Sequence, residues 1–143
     1  MNIIVLAGGF SSEREVSFSS GGGIANALMQ NGHNVVLLDS YKKIQRYETF
    51  EEMYRKEKKD DYTYEVSEIE PDLDVIKKEF GDGDILLGKN VLEACMLADV
   101  VFIGLHGSNG EDGKLQAVFD IFDVKYTGTR TFRVCNIYGE TYC

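Results

Sequence analysis

Ile3-Ile4-Val5-Leu6-Ala7-Gly8-Gly9 is a run of apolar, largely β-branched residues that ends on two glycines. Apolar residues without polar alternation are what a strand covered on both faces requires, because both sets of side chains must leave water. The next segment, Ser17 to Gln30, reads as a helix with Ile24, Ala27 and Leu28 on one face and Asn31-Gly32 as its stop. Asn34-Val35-Val36-Leu37-Leu38-Asp39 is a second apolar strand. Strand, glycine loop, helix and strand make a βαβ unit, whose strands run parallel with a right-handed crossover.

The same alternation returns at Asn90. Val91, Ala94, Cys95 and Ala98 form an apolar helical face, and Asp99 to Leu105 is a third buried strand ending at His106-Gly107. A helix is expected over Lys114 to Phe122, with Leu115, Val118, Phe119 and Phe122 as its buried stripe. Lys125-Tyr126-Thr127-Gly128 reads as a short last strand and turn. The fold class is α/β, a doubly wound parallel sheet with strand order 2-1-3-4. Residues 41–89 read as an elaboration within it. Tyr47 to Lys59 is a charged helical candidate, Tyr62 to Val66 alternates like a short exposed strand, Asp72 to Phe80 follows Pro71 as a helix, and Gly81 to Asp84 is a turn.

The chain has 143 residues, enough for one domain, and a formal net charge of -9. That charge disfavours nucleic acid and anionic membrane surfaces as partners. Charged residues of both signs are concentrated between Tyr41 and Lys89, as expected of a solvated segment. Cys95, Cys135 and Cys143 are odd in number and match no zinc spacing, so no metal site is expected and reduced thiols in the cytoplasm are. The start lacks a basic region before its apolar run, unlike a signal peptide.

Two polar loops interrupt the sheet: Gly8-Gly9-Phe10-Ser11-Ser12-Glu13-Arg14-Glu15 and His106-Gly107-Ser108-Asn109-Gly110-Glu111-Asp112-Gly113. Each leaves the carboxyl end of a strand. In the order 2-1-3-4 those strands are neighbours with helices on opposite faces, which is where such sheets open a ligand crevice. The loops are therefore expected to converge. The plainer reading is that Gly8, Gly9, Gly107, Gly110 and Gly113 only shape turns, and that Glu13, Arg14 and Glu15 are solvated charges at a helix entry. The functional reading puts one carboxylate in the crevice to hold a ligand ammonium group, with His106 beside it. His33 reads as a loop residue between helix and strand. The first loop does not fit the Gly-x-Gly-x-x-Gly dinucleotide pattern.

Leu6 to Ser17 resembles the opening signature of the D-alanine–D-alanine ligases, Leu105 to Gln116 resembles their second signature, and Tyr126-Thr127-Gly128 resembles the tripeptide that follows it. The resemblance covers roughly residues 1–40 and 90–129. It implies a Rossmann-like domain, residues 1–129, that precedes an ATP-grasp region in an ATP- and magnesium-dependent enzyme of peptidoglycan synthesis. Such an enzyme phosphorylates one D-alanine and joins it to a second. By motif position Glu13 would bind the ammonium of the first D-alanine and stand as the catalytic residue. Val16 would line the methyl pocket, His106 would sit beside the same substrate, and Gly8, Gly9, Ser11, Gly107, Gly110, Glu111, Asp112 and Gly113 would shape the site. A homodimer is implied as well.

Two departures from the family pattern stand out. Thr129 onward is atypical, leaving 130–143 as an unmatched tail, and Gln116-Ala117 replaces the usual Gln-Gly. The family's nucleotide-gripping lysines, magnesium carboxylates and oxyanion arginine have no counterpart, so ATP and magnesium are not expected to be held by this chain alone. Two alternatives stay open: a stand-alone D-amino-acid-binding or partner-binding module without catalysis, and a D-alanine–D-serine or D-lactate type relative.

Overall fold

A computed structural model describes residues 1–80, 85–107 and 112–128. Three strands, β1 (Asn2–Ala7), β2 (Asn34–Asp39) and β3 (Val100–Ile103), form a parallel sheet in the order β2-β1-β3. Ile4 pairs with Val36 on one side and Val101 on the other. Tyr126 makes a single parallel bridge to Val101, so the segment read as a last strand extends the order beyond β3 by one residue pair. The expected turn at Gly81–Asp84 and the tail 130–143 lie outside the described residues.

The period of two sorts the core. Ile3, Val5 and Val35 face α1 (Arg14–Gln30) and pack with Ala25 and Tyr62. Ile4, Leu6, Val36, Leu38 and Val101 face the other way. They meet Phe50 and Met53 of α2 (Phe50–Glu57), Val91, Ala94 and Cys95 of α4 (Val91–Leu97), and Leu115 and Phe119 of α5 (Lys114–Ile121). Both faces of β1 are thus dry, as its unbroken apolar run requires.

Helix α1 corrects its expected face. Ala27 is exposed and Ile24 and Leu28 are half-buried; the buried residues are Arg14, Ser17, Gly21, Gly22 and Ala25. Small residues at 17, 21 and 25, four apart, let the helix lie close to the sheet. A Cβ on Gly21 would come within 2.8 Å of the Ala7 Cβ. The helix stops as expected, with Gly32 at φ +87 and the His33 amide reaching back to the Leu28 carbonyl. The stripe expected on α5 also needs correction: Val118 is half-buried and Phe122 is 48% exposed, because the helix ends at Ile121 and the chain turns away.

The stretch 41–89 leaves and rejoins the sheet at one place. The Gly88 amide donates to the Ser40 carbonyl (2.7 Å), the Ile44 amide donates to Lys89 O, and the Asn90 side chain closes on Ile44 O. Within it, Thr49 Oγ1 caps α2 by accepting from the Glu52 amide. A helix α3 (Leu73–Phe80) follows Pro71, as read. Tyr62 to Val66 is not a strand. It lies as a strap along α1, held by side chains: Asn26 accepts from the Tyr62 amide and donates to Asp61 and Thr63, and Glu15 accepts from the Ser67 amide. Its alternation reflects one inward residue, Tyr62, whose hydroxyl donates to Val35 O.

The strap sets a steric test. A Cβ on Gly22 would stand 2.1 Å from the Tyr62 carbonyl oxygen, whereas one on Gly23 meets nothing within 4 Å. Gly22→Ala should lower stability by about 1–3 kcal/mol, while Gly23→Ala should raise it by about 0.5–1 kcal/mol through helix propensity. Urea unfolding of both variants reads the difference; equal midpoints would mean that the strap does not press on the helix.

Burial also sets an alkaline limit. Burial pushes the Cys95 thiol from its ordinary 9.0 up to about 12 and raises the Tyr62 phenol. Both are held neutral by folding. Their contribution is therefore complete below the unfolded values and is lost as pH climbs from the unfolded thiol's range towards the folded one. Urea midpoints should fall between about pH 8 and about pH 10.5; a flat profile would contradict the buried thiol.

Candidate functional site

The first glycine loop and the start of α1 meet His106 and Gly107, the described beginning of the second loop, at the carboxyl ends of β1 and β3. Gly8 and Gly9 take φ of +78 and +81, turning the chain sharply off β1 into α1. A hydroxyl on α1 then ties the two strand ends together. Ser17 Oγ accepts from the Gly8 amide (2.9 Å) and donates to the Gly104 carbonyl (2.7 Å), and it is fully buried. One turn further along, Ser20 Oγ donates to the Val16 carbonyl (2.7 Å) and lies 3.0 Å from His106 Nε2. Glu13 stands at the N-cap position of α1 without a side-chain capping bond, and its carboxylate reaches the second loop: Oε2 would lie 3.4 Å from a Cβ on Gly107, whose own φ is +72.

Glu13, Val16, Gly107 and His106 thus share one end of the sheet. Glu13 is exposed, His106 is half-buried, and Val16 presents its side chain at 48% exposure. Ser11 makes a local turn, its hydroxyl accepting from the Glu13 amide. Gly113 sits left-handed at the start of α5, and Asp112 accepts from the Lys114 amide. Gly110 and Glu111 lie outside the described residues. His33 is placed apart, with its Nδ1 at the amino-terminal ammonium. No group of three or more His, Cys, Asp or Glu that could hold a metal occurs among the described residues.

The first loop's three charges do not behave alike. Glu13 faces the crevice and Glu15 holds the strap, but Arg14 is buried, and its partner is Asp39 at the end of β2. The guanidinium engages both Asp39 oxygens and donates to Gly9 O, while Asp39 also accepts from the amides of Gly9 and Tyr41. Phe18 lies under the guanidinium, 4.9 Å from ring centre to carbon. The pair fixes the backbone that presents Glu13. Sequence reasoning missed this pair and both serines. The available signal was topological: β2 lies beside β1, so Asp39 ends next to the first loop, and residues 17 and 20 share a helix face that looks towards the end of β3.

A separate cavity of about 490 Å³ opens on the β2 side of this pair. Phe18, Leu37, Lys43 and Lys59 are among its walls, and neither Glu13 nor His106 is.

Removing one member of a buried ion pair strands the other. Asp39→Ala should therefore cost about 3–5 kcal/mol in urea unfolding, whereas Glu13→Gln, on an exposed side chain, should leave the midpoint nearly unchanged. Equal small losses would show that the Arg14–Asp39 pair does not hold the loop.

The family model described as "D-ala D-ala ligase N-terminus" matches residues 2–129. A D-alanine--D-alanine ligase of Pediococcus pentosaceus is 41% identical over 132 residues, which cover 90% of this chain and 37% of that protein. The enzyme of that name from Lacticaseibacillus casei is 42% identical over 130 residues, covering 90% and 36%. Among solved structures, a D-alanine-D-alanine ligase from Coxiella burnetii aligns with a TM-score of 0.49 at 25% identity, covering 92% of this chain and 36% of that one. The chain therefore spans little more than a third of the length of these curated relatives, at 37% and 36%. By its matching model and these relatives, the chain belongs to the family of D-alanine–D-alanine ligase amino-terminal domains.

Proposed function

We propose that this chain is the amino-terminal part, with residues 1–129 as its domain, of an ATP-dependent D-alanine–D-alanine ligase of peptidoglycan synthesis, and that its crevice receives the first D-alanine. The observation that carries this reading is the approach of the Glu13 carboxylate to Gly107 beside His106, on a chain of this family. A carboxylate held at a crevice wall is matched to an ammonium group, and charge-assisted contacts of this kind fix position as well as affinity. Val16, exposed on the next turn, offers an apolar surface of the size of a methyl group. His106 is anchored on the opposite loop, so a small amino acid would be gripped from both strand ends. Gripping matters because a ligase gains rate by holding its reactants in line.

The family reading brings ATP and magnesium. The described residues do not fit either group: they contain no cluster of metal-binding side chains, and the crevice's one buried cation, Arg14, is engaged by Asp39. No step is therefore routed through nucleotide or metal in this chain. The same reading places the protein in the cytoplasm, and no helix among the described residues is long and apolar enough to cross a membrane. It also makes a second copy of the chain the partner. Met96 and Phe122, exposed around a common cavity, would supply apolar surface for that contact.

The test uses these 143 residues alone. With ATP, magnesium and D-alanine, phosphate release should stay at background, since the described residues offer no cluster to hold a metal beside a transferring phosphoryl group. In an NMR titration D-alanine should shift the amides of Val16, His106 and Gly107 weakly, and Glu13→Gln should remove the response. Turnover abolished by Glu13→Gln would show a complete site in the chain. Shifts that ignore Glu13→Gln would overturn the substrate assignment.

A further inference from the structure

We propose that Ser20 is a positioning residue for His106, holding the imidazole in the tautomer protonated on Nε2 so that Nδ1 is the ring's acceptor. The argument counts protons. A serine hydroxyl has one hydrogen to give and lone pairs to receive. Ser20 Oγ stands 2.7 Å from the Val16 carbonyl oxygen and 3.0 Å from His106 Nε2. A carbonyl has no proton, so the short oxygen-to-oxygen contact is favourable only if the hydroxyl hydrogen lies within it. This is the back-bond that helical serines make to the residue four positions earlier. With that hydrogen spent, the contact to His106 is a hydrogen bond only if Nε2 supplies the proton. The opposite assignment, with Ser20 donating to a bare Nε2, would leave two oxygens facing each other with nothing between them.

Ser17 supports the assignment by doing the same at the neighbouring position. It also receives one proton, from the Gly8 amide, and gives one, to the Gly104 carbonyl. The two hydroxyls, three residues apart on α1, grip the segment that leaves β3 at Gly104 and at His106. Ser17 holds the backbone; Ser20 holds the ring. His106 makes no hydrogen bond through Nδ1 among the described residues. Ser20 also joins the two loops' candidate ligand contacts, since its other partner is the carbonyl of Val16. On the substrate reading above, on which this consequence rests, the Nδ1 lone pair of that tautomer would be left to meet a ligand N–H donor. Glu13 and His106 would then both offer acceptors at this end of the sheet.

The test is ¹⁵N-resolved NMR of the histidine side chains in the full chain near neutral pH, with His33→Gln used for assignment. The expected result is a protonated His106 Nε2, visible as a slowly exchanging proton that cross-relaxes with the Ser20 β-protons. Ser20→Ala should erase that signal through at least tenfold faster exchange with water, while the β1 and β3 amides keep their positions. Ser20→Thr, which can make the same two bonds, should retain it. Protonation on Nδ1 in the unaltered chain would overturn the proposal and requires no variant to fold. So would an equally protected Nε2 proton in Ser20→Ala. None of these readouts uses D-alanine. A chain that shows the bond but ignores D-alanine sinks the substrate reading alone; one that responds to D-alanine with Nδ1 protonated sinks this proposal alone.

Discussion

Strands β1 and β3 separate at their carboxyl ends, and each loses its neighbour just where backbone groups must still be satisfied. A buried amide or carbonyl without a partner costs about 1–3 kcal/mol. Ser17 removes that cost at both strand ends with one hydroxyl, taking the Gly8 N–H and giving its proton to Gly104 O. This is possible only because α1 lies close to the sheet, which in turn requires Gly21 and Ala25 on the same helix face. The crevice is therefore the gap left when a helix of small residues is drawn down onto a splitting pair of strands. Glu13 and His106 inherit their places from that gap.

The fixed wall on the other side is the Arg14–Asp39 pair. Burying two charges is costly, and a buried pair stabilises a fold only when further hydrogen bonds complete it. Here Gly9 O, Gly9 N and Tyr41 N complete it, so the pair fixes a glycine-rich turn that would otherwise have many conformations. The loop's flexibility in sequence and its rigidity in structure are thus compatible.

The first two strands were legible because their periodicity is dictated by burial on two faces, and Asn34–Asp39 is bounded as its residues suggest; the third, read as a buried strand over Asp99 to Leu105, is the shorter Val100–Ile103, with only Val101 fully buried. The convergence of the two loops was legible once strands one and three were taken as neighbours, the order the sheet has. The face of α1 was legible only in part: Ile24 and Leu28 pack at the edge of the sheet cluster, but Ala27 is exposed, and the closest contact with the sheet was chosen by size, which hydrophobic patterning ignores. Tyr62 to Val66 misled for a related reason. Alternation says which side chain turns inward, not whether another strand or a helix lies beneath it. The Arg14–Asp39 pair joins residues from different strand ends, and only the order of strands brings them together. The roles of Glu13, Val16 and His106 were suggested by family motif, with geometry adding their nearness.

Because residues 41–89 depart and return at a single seam, where Gly88 meets Ser40 and Lys89 meets Ile44, their length is nearly independent of the crevice. Closing a longer loop costs only a logarithmic increment of entropy once its ends are held. The seam works like a hem: cloth can be added beyond it without moving the garment. Several threads cross the hem: Ser67 and Tyr64 reach Glu15, two residues past Glu13, the Tyr41 amide reaches Asp39, and Tyr62 is held by Asn26. Variation in the length of this stretch can therefore be absorbed beyond the seam, while the stretch still bears on the site loop through Glu15 and through the Tyr41 amide on Asp39.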